Sequence, residues 1–298
     1  MKLPFATLDV FTDRRFAGNP LAVVLDADKL DDATMQAIAR EFSHPETVFV
    51  LNPAAPTSTA RIRIFTPDME LPFAGHPTVG SALVLALLGR GDAGSVVLEE
   101  KIGPIQCTVA PAGTDRGHAR FLLPDLPRGA GAAPTSAAIA AALGISVNDI
   151  GFEHFVPARW SVGNAFTFVP VRGLDVIRRC RINEAAWDQA FEVGGRTSAF
   201  VFCGETIDPA NNFHARMFAP RFGVTEDPAT GSAAAALAGV CVRTLALNEG
   251  EYRFAIEQGY EMGRPSLIEL TLTMRGGTLR LATVGGPAVV VAEGTIEA

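Results

Sequence analysis

The sequence is short of cysteine, of basic runs and of long apolar runs, and each shortage removes a class of protein. Its four cysteines, Cys107, Cys180, Cys203 and Cys241, lie far apart, with no C-x-x-C and no Cys/His pair at metal-ligand spacing. A disulfide framework or a zinc site is therefore not expected, and the four read as ordinary buried thiols. Against 25 Lys+Arg stand 32 Asp+Glu, a net charge of -7. An acidic chain without Lys/Arg runs interleaved with aromatics repels phosphate backbones, which argues against a nucleic-acid partner. No run approaches the roughly 18 apolar residues of a membrane-spanning helix. The Ala-rich SAAAALAGVCV is too short and is closed by Arg243. Asp9 and Asp13 interrupt the N-terminal segment too early for a signal peptide, so a cytoplasmic protein with no membrane partner is expected. GGPAVVVAEG and VGNAF lack the Gly-x-Gly-x-x-Gly spacing of a dinucleotide site. His44, His118, His154 and His214 show no metal spacing with Asp or Glu, and read as structural or surface residues; no metal or organic cofactor is expected. Trp160 and Trp187 read as core or rim residues.

What is present suits packed cores: 298 residues, 48% of them hydrophobic, enough for two domains. Phe5–Phe11 and LAVVL read as strands, and Asp31-Asp32 opens a helix over ATMQAIAREF. Ser43-His44-Pro45 ends that helix, because a residue before proline is pushed out of the helical region. Glu46 then leads straight into the strand TVFVL. Arg61–Phe65, SVVLEE, IQCTVA and HARFLLP are further strands, TPDMELPFAGHP is a loop, and Thr78–Leu88 is a helix apolar nearly all round, hence buried.

The chain repeats itself. Gly75-His76-Pro77-Thr78-Val79-Gly80-Ser81-Ala82 opens one apolar helix, and Glu226-Asp227-Pro228-Ala229-Thr230-Gly231-Ser232-Ala233 opens another. Aligning the prolines pairs His76 with Asp227 and Ser81 with Ser232. Arg63–Pro67 resembles Arg216–Pro220, and Gly18-Asn19-Pro20 resembles Gly163-Asn164-Ala165. Three matches in order, at offsets of 145, 153 and 151, indicate an internal duplication. Each half carries several strands around one apolar helix, an α+β unit and not a doubly wound sheet. The expected division is 1–118, joined by the C-terminal strand 280–298, and 119–279. Arg63 and Arg216, being equivalent, are expected to brace the loops before the two helix starts.

Proline is favourable at the first helical position, so His76 and Asp227 are expected as the N-caps of the two central helices. Helix starts offer unpaired backbone N–H groups and a partial positive charge, a field that suits a carboxylate or an enolate-like intermediate. Ser232 adds a hydroxyl, with Ser81 its counterpart. Two readings stand at Asp227, since aspartate is also among the best residues for plain capping, worth about 1 kcal/mol. His76 after glycine likewise reads either as a surface loop residue or as a site residue.

FTDRRFAGNPLAVV, ETVFV, RIFTPDMELPFAGHPTVGSA, EDPATGSAAAAL and EQGYEMGRPS together resemble the PhzF-type isomerase family of phenazine biosynthesis, within the diaminopimelate epimerase-like superfamily. The resemblance spans essentially the whole chain. It implies two similar α+β domains, each a barrel-like sheet around a central helix, with the active site in the cleft between them, and usually a homodimer. Epimerases and racemases of the superfamily place paired cysteines at the two helix starts; here Gly75-His76 and Asp227 stand there, so the two-thiol mechanism is closed. The branch it resembles uses one glutamate as proton shuttle, and that glutamate falls on Glu46. The other site residues of the branch fall on His76, Asp227 and Ser232, with Gly75 and Gly231 beside them, and Asn19 lies in the GNP turn.

The aligned place in the second half, near Thr197-Ser198, carries no acid, so one group must both remove and return the proton. A carboxylate in an apolar pocket moves toward the working pH and serves as base, then acid. The implied reaction is a proton shift between carbons of a small amino- or hydroxy-acid-like carboxylate. A non-thiol racemase or epimerase and a non-catalytic small-molecule binding protein are the alternatives on the same scaffold.

Overall fold

The computed structural model describes residues 1–91 and 94–298. The chain divides into two compact units, Met1–Pro124 with Val284–Ala298, and Asp125–Thr283. The first contains β1 (Lys2–Val10), β2 (Asn19–Val24), α1 (Asp32–Phe42), β3 (Glu46–Leu51), β4 (Ala60–Phe65), β5 (Glu70–Leu71), α2 (Gly75–Leu87), β6 (Ser95–Glu100), β7 (Gly103–Pro111) and β8 (Arg116–Leu122). It runs on past position 118 because β8 stays paired to β7, with Cys107 opposite Phe121 and Phe121 fully buried. The second contains β9 (Arg128–Gly129), α3 (Ser136–Leu143), β10 (Ala158–Val162), β11 (Asn164–Pro170), α4 (Leu174–Arg179), α5 (Glu184–Phe191), β12 (Ser198–Cys203), β13 (Phe213–Ala219), β14 (Val224–Asp227), α6 (Gly231–Leu245), β15 (Gly250–Gln258) and β16 (Ser266–Arg275). The last strand, β17 (Thr278–Glu297), starts in the second unit and finishes in the first, antiparallel to β1 from Lys2↔Glu297 to Val10↔Ala288.

The duplication is exact in pairing sense. β1–β2 is antiparallel, β2–β3 parallel, β3–β4 and β4–β5 antiparallel, β4–β6 parallel and β6–β7 antiparallel. The second unit repeats that series with β10–β11, β11–β12, β12–β13, β13–β14, β13–β15 and β15–β16. Side chains repeat as well. Arg63 forks onto Glu70 at 2.7 and 2.8 Å, and Arg216 onto Glu226 at 2.7 and 2.8 Å. Each guanidinium also lies over the phenylalanine two residues on, 5.1 Å from Phe65 and 4.7 Å from Phe218. Planar bidentate pairs fix a loop as well as a charge. These two hold β5 and β14, the segments that lead to the central helices.

Each central helix is apolar on all sides because sheet surrounds it. From Gly75 to Leu85 every residue of α2 is buried, against β1, β2, β6, β7 and β8. In α6 the small residues Ala233, Ala234, Ala235 and Ala236 are buried against β10, β11 and β16. A fully buried Leu or Val contributes roughly 1.5–3 kcal/mol, so this helix–sheet contact dominates each core. Close approach needs glycine: a Cβ on Gly80 would lie 2.5 Å from Leu21, and one on Gly239 would lie 2.2 Å from the Trp160 ring. The outer helices are conventional. α1 buries Met35, Ile38 and Ala39, is capped by Asp31, whose side chain accepts from the Thr34 N–H, and ends at Ser43 in the left-handed region. α5 buries Trp187 and Phe191 in a second cluster with Val201 and Ile177. Among the described residues no helix is long and apolar enough to cross a membrane.

Candidate active site

Glu46 is the first residue of β3 and lies opposite Leu21 of the parallel strand β2, one residue from Pro20. His76 is the second residue of α2 and is 5% exposed. Helix packing on β2 brings the two together: His76 Nε2 is 3.2 Å from Glu46 Oε2. The imidazole also hydrogen-bonds the backbone of Pro20, which has no N–H, so the ring donates to its carbonyl. Nε2 makes no aligned hydrogen bond, which leaves Nδ1 as that donor. Burial, opposed by the Pro20 bond and reinforced by nearby His44, holds His76 down to about 3. At neutral pH the ring is uncharged, with a hydrogen on Nδ1 and a bare Nε2 toward Glu46.

Both helix starts differ from the sequence expectation. His76 is not an N-cap: the cap is Ala74, in extended conformation at φ -153 and ψ 138, and the helix begins at Gly75. Pro77 is tolerated one step further in, since N–H groups throughout the first turn have no intrahelical acceptor. Asp227 is not an N-cap either. It ends β14, paired with Met217, and the cap of α6 is Thr230. The reason is local: a residue before proline avoids the helical region, and Pro228 keeps Asp227 extended. Its carboxylate accepts from the Thr230 hydroxyl at 2.5 Å, and its backbone carbonyl accepts from Gln258 Nε2 at 2.7 Å. The capping-only reading of Asp227 thereby falls. Neither central helix has a side-chain cap bond.

The remaining residues fall as follows. Gly75 and Gly231 are the first residues of α2 and α6, both buried, and Ser232 is half-buried. Asn19 is fully buried at the start of β2, paired with Val10. Parallel pairing sets Phe166 opposite Ser198 as it sets Leu21 opposite Glu46, so Ser198 is the counterpart of Glu46 and the acid occurs once. A polar pair, Thr78 within α2 and Glu100 on the neighbouring β6, went unnoticed in the sequence. Thr78 and Glu100 touch at 2.7 Å, and Glu100 is 8% exposed. The signal was available in SVVLEE, where strand alternation sets Glu100 on the inner face with Val96 and Leu98.

The sequence profile of the family described as phenazine biosynthesis-like protein matches residues 8–294. The chain belongs to this family. An "uncharacterized isomerase" of Mesorhizobium japonicum is 49% identical over 292 residues, covering 97% of this chain and 96% of its own. The trans-2,3-dihydro-3-hydroxyanthranilate isomerase of Pseudomonas fluorescens is 34% identical, with 98% of both chains covered. A Bacillus anthracis protein of the PhzF family, solved as a crystal structure, superposes with a TM-score of 0.90 at 27% identity over the whole of both chains. Two halves built alike around apolar helices are thus the PhzF, diaminopimelate epimerase-like fold, and relatives that match over nearly the whole chain are named isomerases.

Proposed function

We propose that this PhzF-family isomerase shifts a proton between carbons of a small amino- or hydroxy-substituted carboxylate, with Glu46 as the single acid/base group. The observation that carries the reading is the 3.2 Å approach of Glu46 Oε2 to His76 Nε2 beside the uncapped start of α2. Glu46 takes a proton from a C–H and returns it to another carbon. Burial holds His76 well below its ordinary 6.5, so the ring stays neutral beside the carboxyl and does not compete for the proton as a free imidazole would. Bare Nε2 accepts from the protonated carboxyl and orients it for return. The donor end of the ring is occupied by Pro20, which fixes its tautomer. The N–H at Gly75 in the first unit, and separately the N–H at Gly231 with the Ser232 hydroxyl in the second, are each proposed as groups for a carboxylate, since the field of a helix start favours an anion. Asp227 is assigned the substrate's amino or hydroxyl group, and Asn19 the wall behind Pro20.

Positional isomerisation is favoured over two-thiol racemisation because Gly75-His76 and Asp227 stand where the epimerases carry paired cysteines, and because the counterpart of Glu46 is Ser198, so the proposed shuttle occurs once. The test is exchange of a carbon-bound proton in deuterated water, over a panel of amino and hydroxy acids that includes trans-2,3-dihydro-3-hydroxyanthranilate, the compound in the Pseudomonas relative's name. General acid–base groups contribute about 10²–10⁴-fold, so Glu46→Gln is expected to lose at least about 100-fold in exchange rate. Exchange at the parental rate in Glu46→Gln removes the shuttle. Deuterium uptake accompanied by loss of optical activity at one carbon transfers the protein to the racemase reading.

A further inference from the structure

Behind the first turn of α2 lies a second acid that the proton shift does not use. Successive helix residues turn by about 100°, so Thr78 projects roughly opposite His76. The Thr78 hydroxyl has two oxygen neighbours: the Ala74 carbonyl at 2.8 Å and Glu100 Oε1 at 2.7 Å. A hydroxyl has one hydrogen, and a backbone carbonyl only accepts. If that hydrogen goes to Ala74, the hydrogen in the other contact belongs to Glu100. The reverse arrangement sets two acceptor oxygens face to face at 2.8 Å. It also leaves Glu100 Oε2, which is buried and has no partner, as an orphaned charged oxygen. An unpaired buried charge costs far more than the unpaired carbonyl oxygen of a neutral acid.

The duplication supplies an independent indication. Arg61 pairs with Glu99 as His214 pairs with Glu257, so the next residues, Glu100 and Gln258, are counterparts. Gln258 is fully buried and holds the start of α6. Its Oε1 accepts from the Thr230 N–H at 3.1 Å, and its Nε2 donates to the Asp227 carbonyl at 2.7 Å and to the Thr230 hydroxyl at 3.0 Å. Glutamine has the shape and neutrality of a protonated glutamate, with one accepting oxygen and one donating end.

We propose that Glu100 is a positioning residue, kept as a neutral carboxylic acid that donates to Thr78 and so fixes the turn of α2 that carries His76. Burial pushes Glu100 up to about 8. The titratable group facing it from β7 is the Cys107 thiol, itself pushed up by burial and by Glu100. Lys101, the adjacent cation in sequence, is turned to Glu70 at 2.6 Å.

The activity readout of this proposal rests on the Glu46–His76 reading, but its protonation readout does not. Infrared difference spectra of the parent minus Glu100→Gln, at neutral pH, are expected to show the carbonyl band of one protonated carboxyl, which disappears as the parent is taken above about pH 8. Folded Glu100 keeps its proton to about 8 while the unfolded chain releases it near 4.5, so this residue lowers the parent's stability progressively across that window. Glu100→Gln lacks that slope, and its melting temperature rises relative to the parent between pH 5 and 8. In the exchange assay Glu100→Gln is expected to keep kcat within about twofold. Thr78→Val, which removes the hydroxyl, is expected to lose about tenfold in kcat with KM little changed. No protonated band, or a melting difference that is flat with pH, overturns the proposal even if no substrate is found. A protonated band together with parental kcat in Thr78→Val overturns the positioning role alone.

Discussion

Gly80→Ala tests whether helix–sheet packing sets the site. The new Cβ would lie 2.5 Å from Leu21 Cδ2 and 3.0 Å from Val10 Cγ2, both on fully buried residues. Leucine can turn its terminal methyl, but valine is stiff at χ1, so α2 must move away from β1 and β2. Overpacking of this kind costs roughly 1–3 kcal/mol, and replacing a mid-helix glycine by alanine returns up to about 1 kcal/mol. The net expectation is a loss of about 1 kcal/mol, a fall of about 2–4 °C in Tm for units of this size. Activity should suffer more. Leu21 is paired with Glu46, and Pro20 holds the His76 ring, so the same displacement stretches the 3.2 Å contact. A shift approaching 1 Å costs about 10²-fold in rate when it disturbs reacting groups. The assay is deuterium exchange with calorimetry on Gly80→Ala, Leu21→Val and the double variant. Leu21→Val deletes the methyl that clashes, so the double variant should recover rate relative to Gly80→Ala. A parental rate and Tm in Gly80→Ala, or strict additivity in the double variant, would refute the steric coupling.

Two further expectations concern the rest of the chain. His214 is fully buried between Glu257 at 2.8 Å and Glu261 at 3.1 Å; burial lowers it, but the two carboxylates outweigh this and hold it above its usual 6.5. The stabilisation from protonated His214 is complete below pH 6.5 and is lost as pH rises through the higher folded value, so thermal melts of His214→Gln should lack the parent's decline above pH 6.5. All four cysteines are buried and free, with Cys180 and Cys203 pushed up to about 12 by burial. Ellman's reagent should therefore find no reactive thiol in the native protein and four after guanidinium unfolding; a fast native thiol contradicts the packing.

Much of this was legible in the residues, for identifiable reasons. Glu46 at the start of a strand follows from Pro45 next to it, and the helix at GHPT from its apolar run. Arg63 and Arg216 show in the duplication because both halves kept the same residue and the same partner type. The caps were misplaced because Pro at a helix start specifies the first turn, not the position within it: α2 takes His76 and Pro77 inside, whereas α6 leaves Asp227 and Pro228 outside. Glu100 and Gln258 escaped notice because an identity search passes over a pair that is equivalent only when one member is protonated. The 3.2 Å contact of His76 with Glu46 joins residues far apart in sequence, and only the parallel register of β2 and β3 under α2 brings them into reach.

The course of β17 has a consequence for synthesis. The second unit is one uninterrupted stretch, Asp125–Thr283, whereas the first needs Val284–Ala298 to cover β1. On the ribosome the later-made unit is therefore the first that can close completely. Glu46 and His76 belong to the unit that waits, with β1 paired to β2 on one edge and open on the other until Val284–Ala298 has been made. An unpaired strand edge is a template for pairing with another chain, so the nascent protein is most exposed to misassembly while Val284–Ala298 is still unmade.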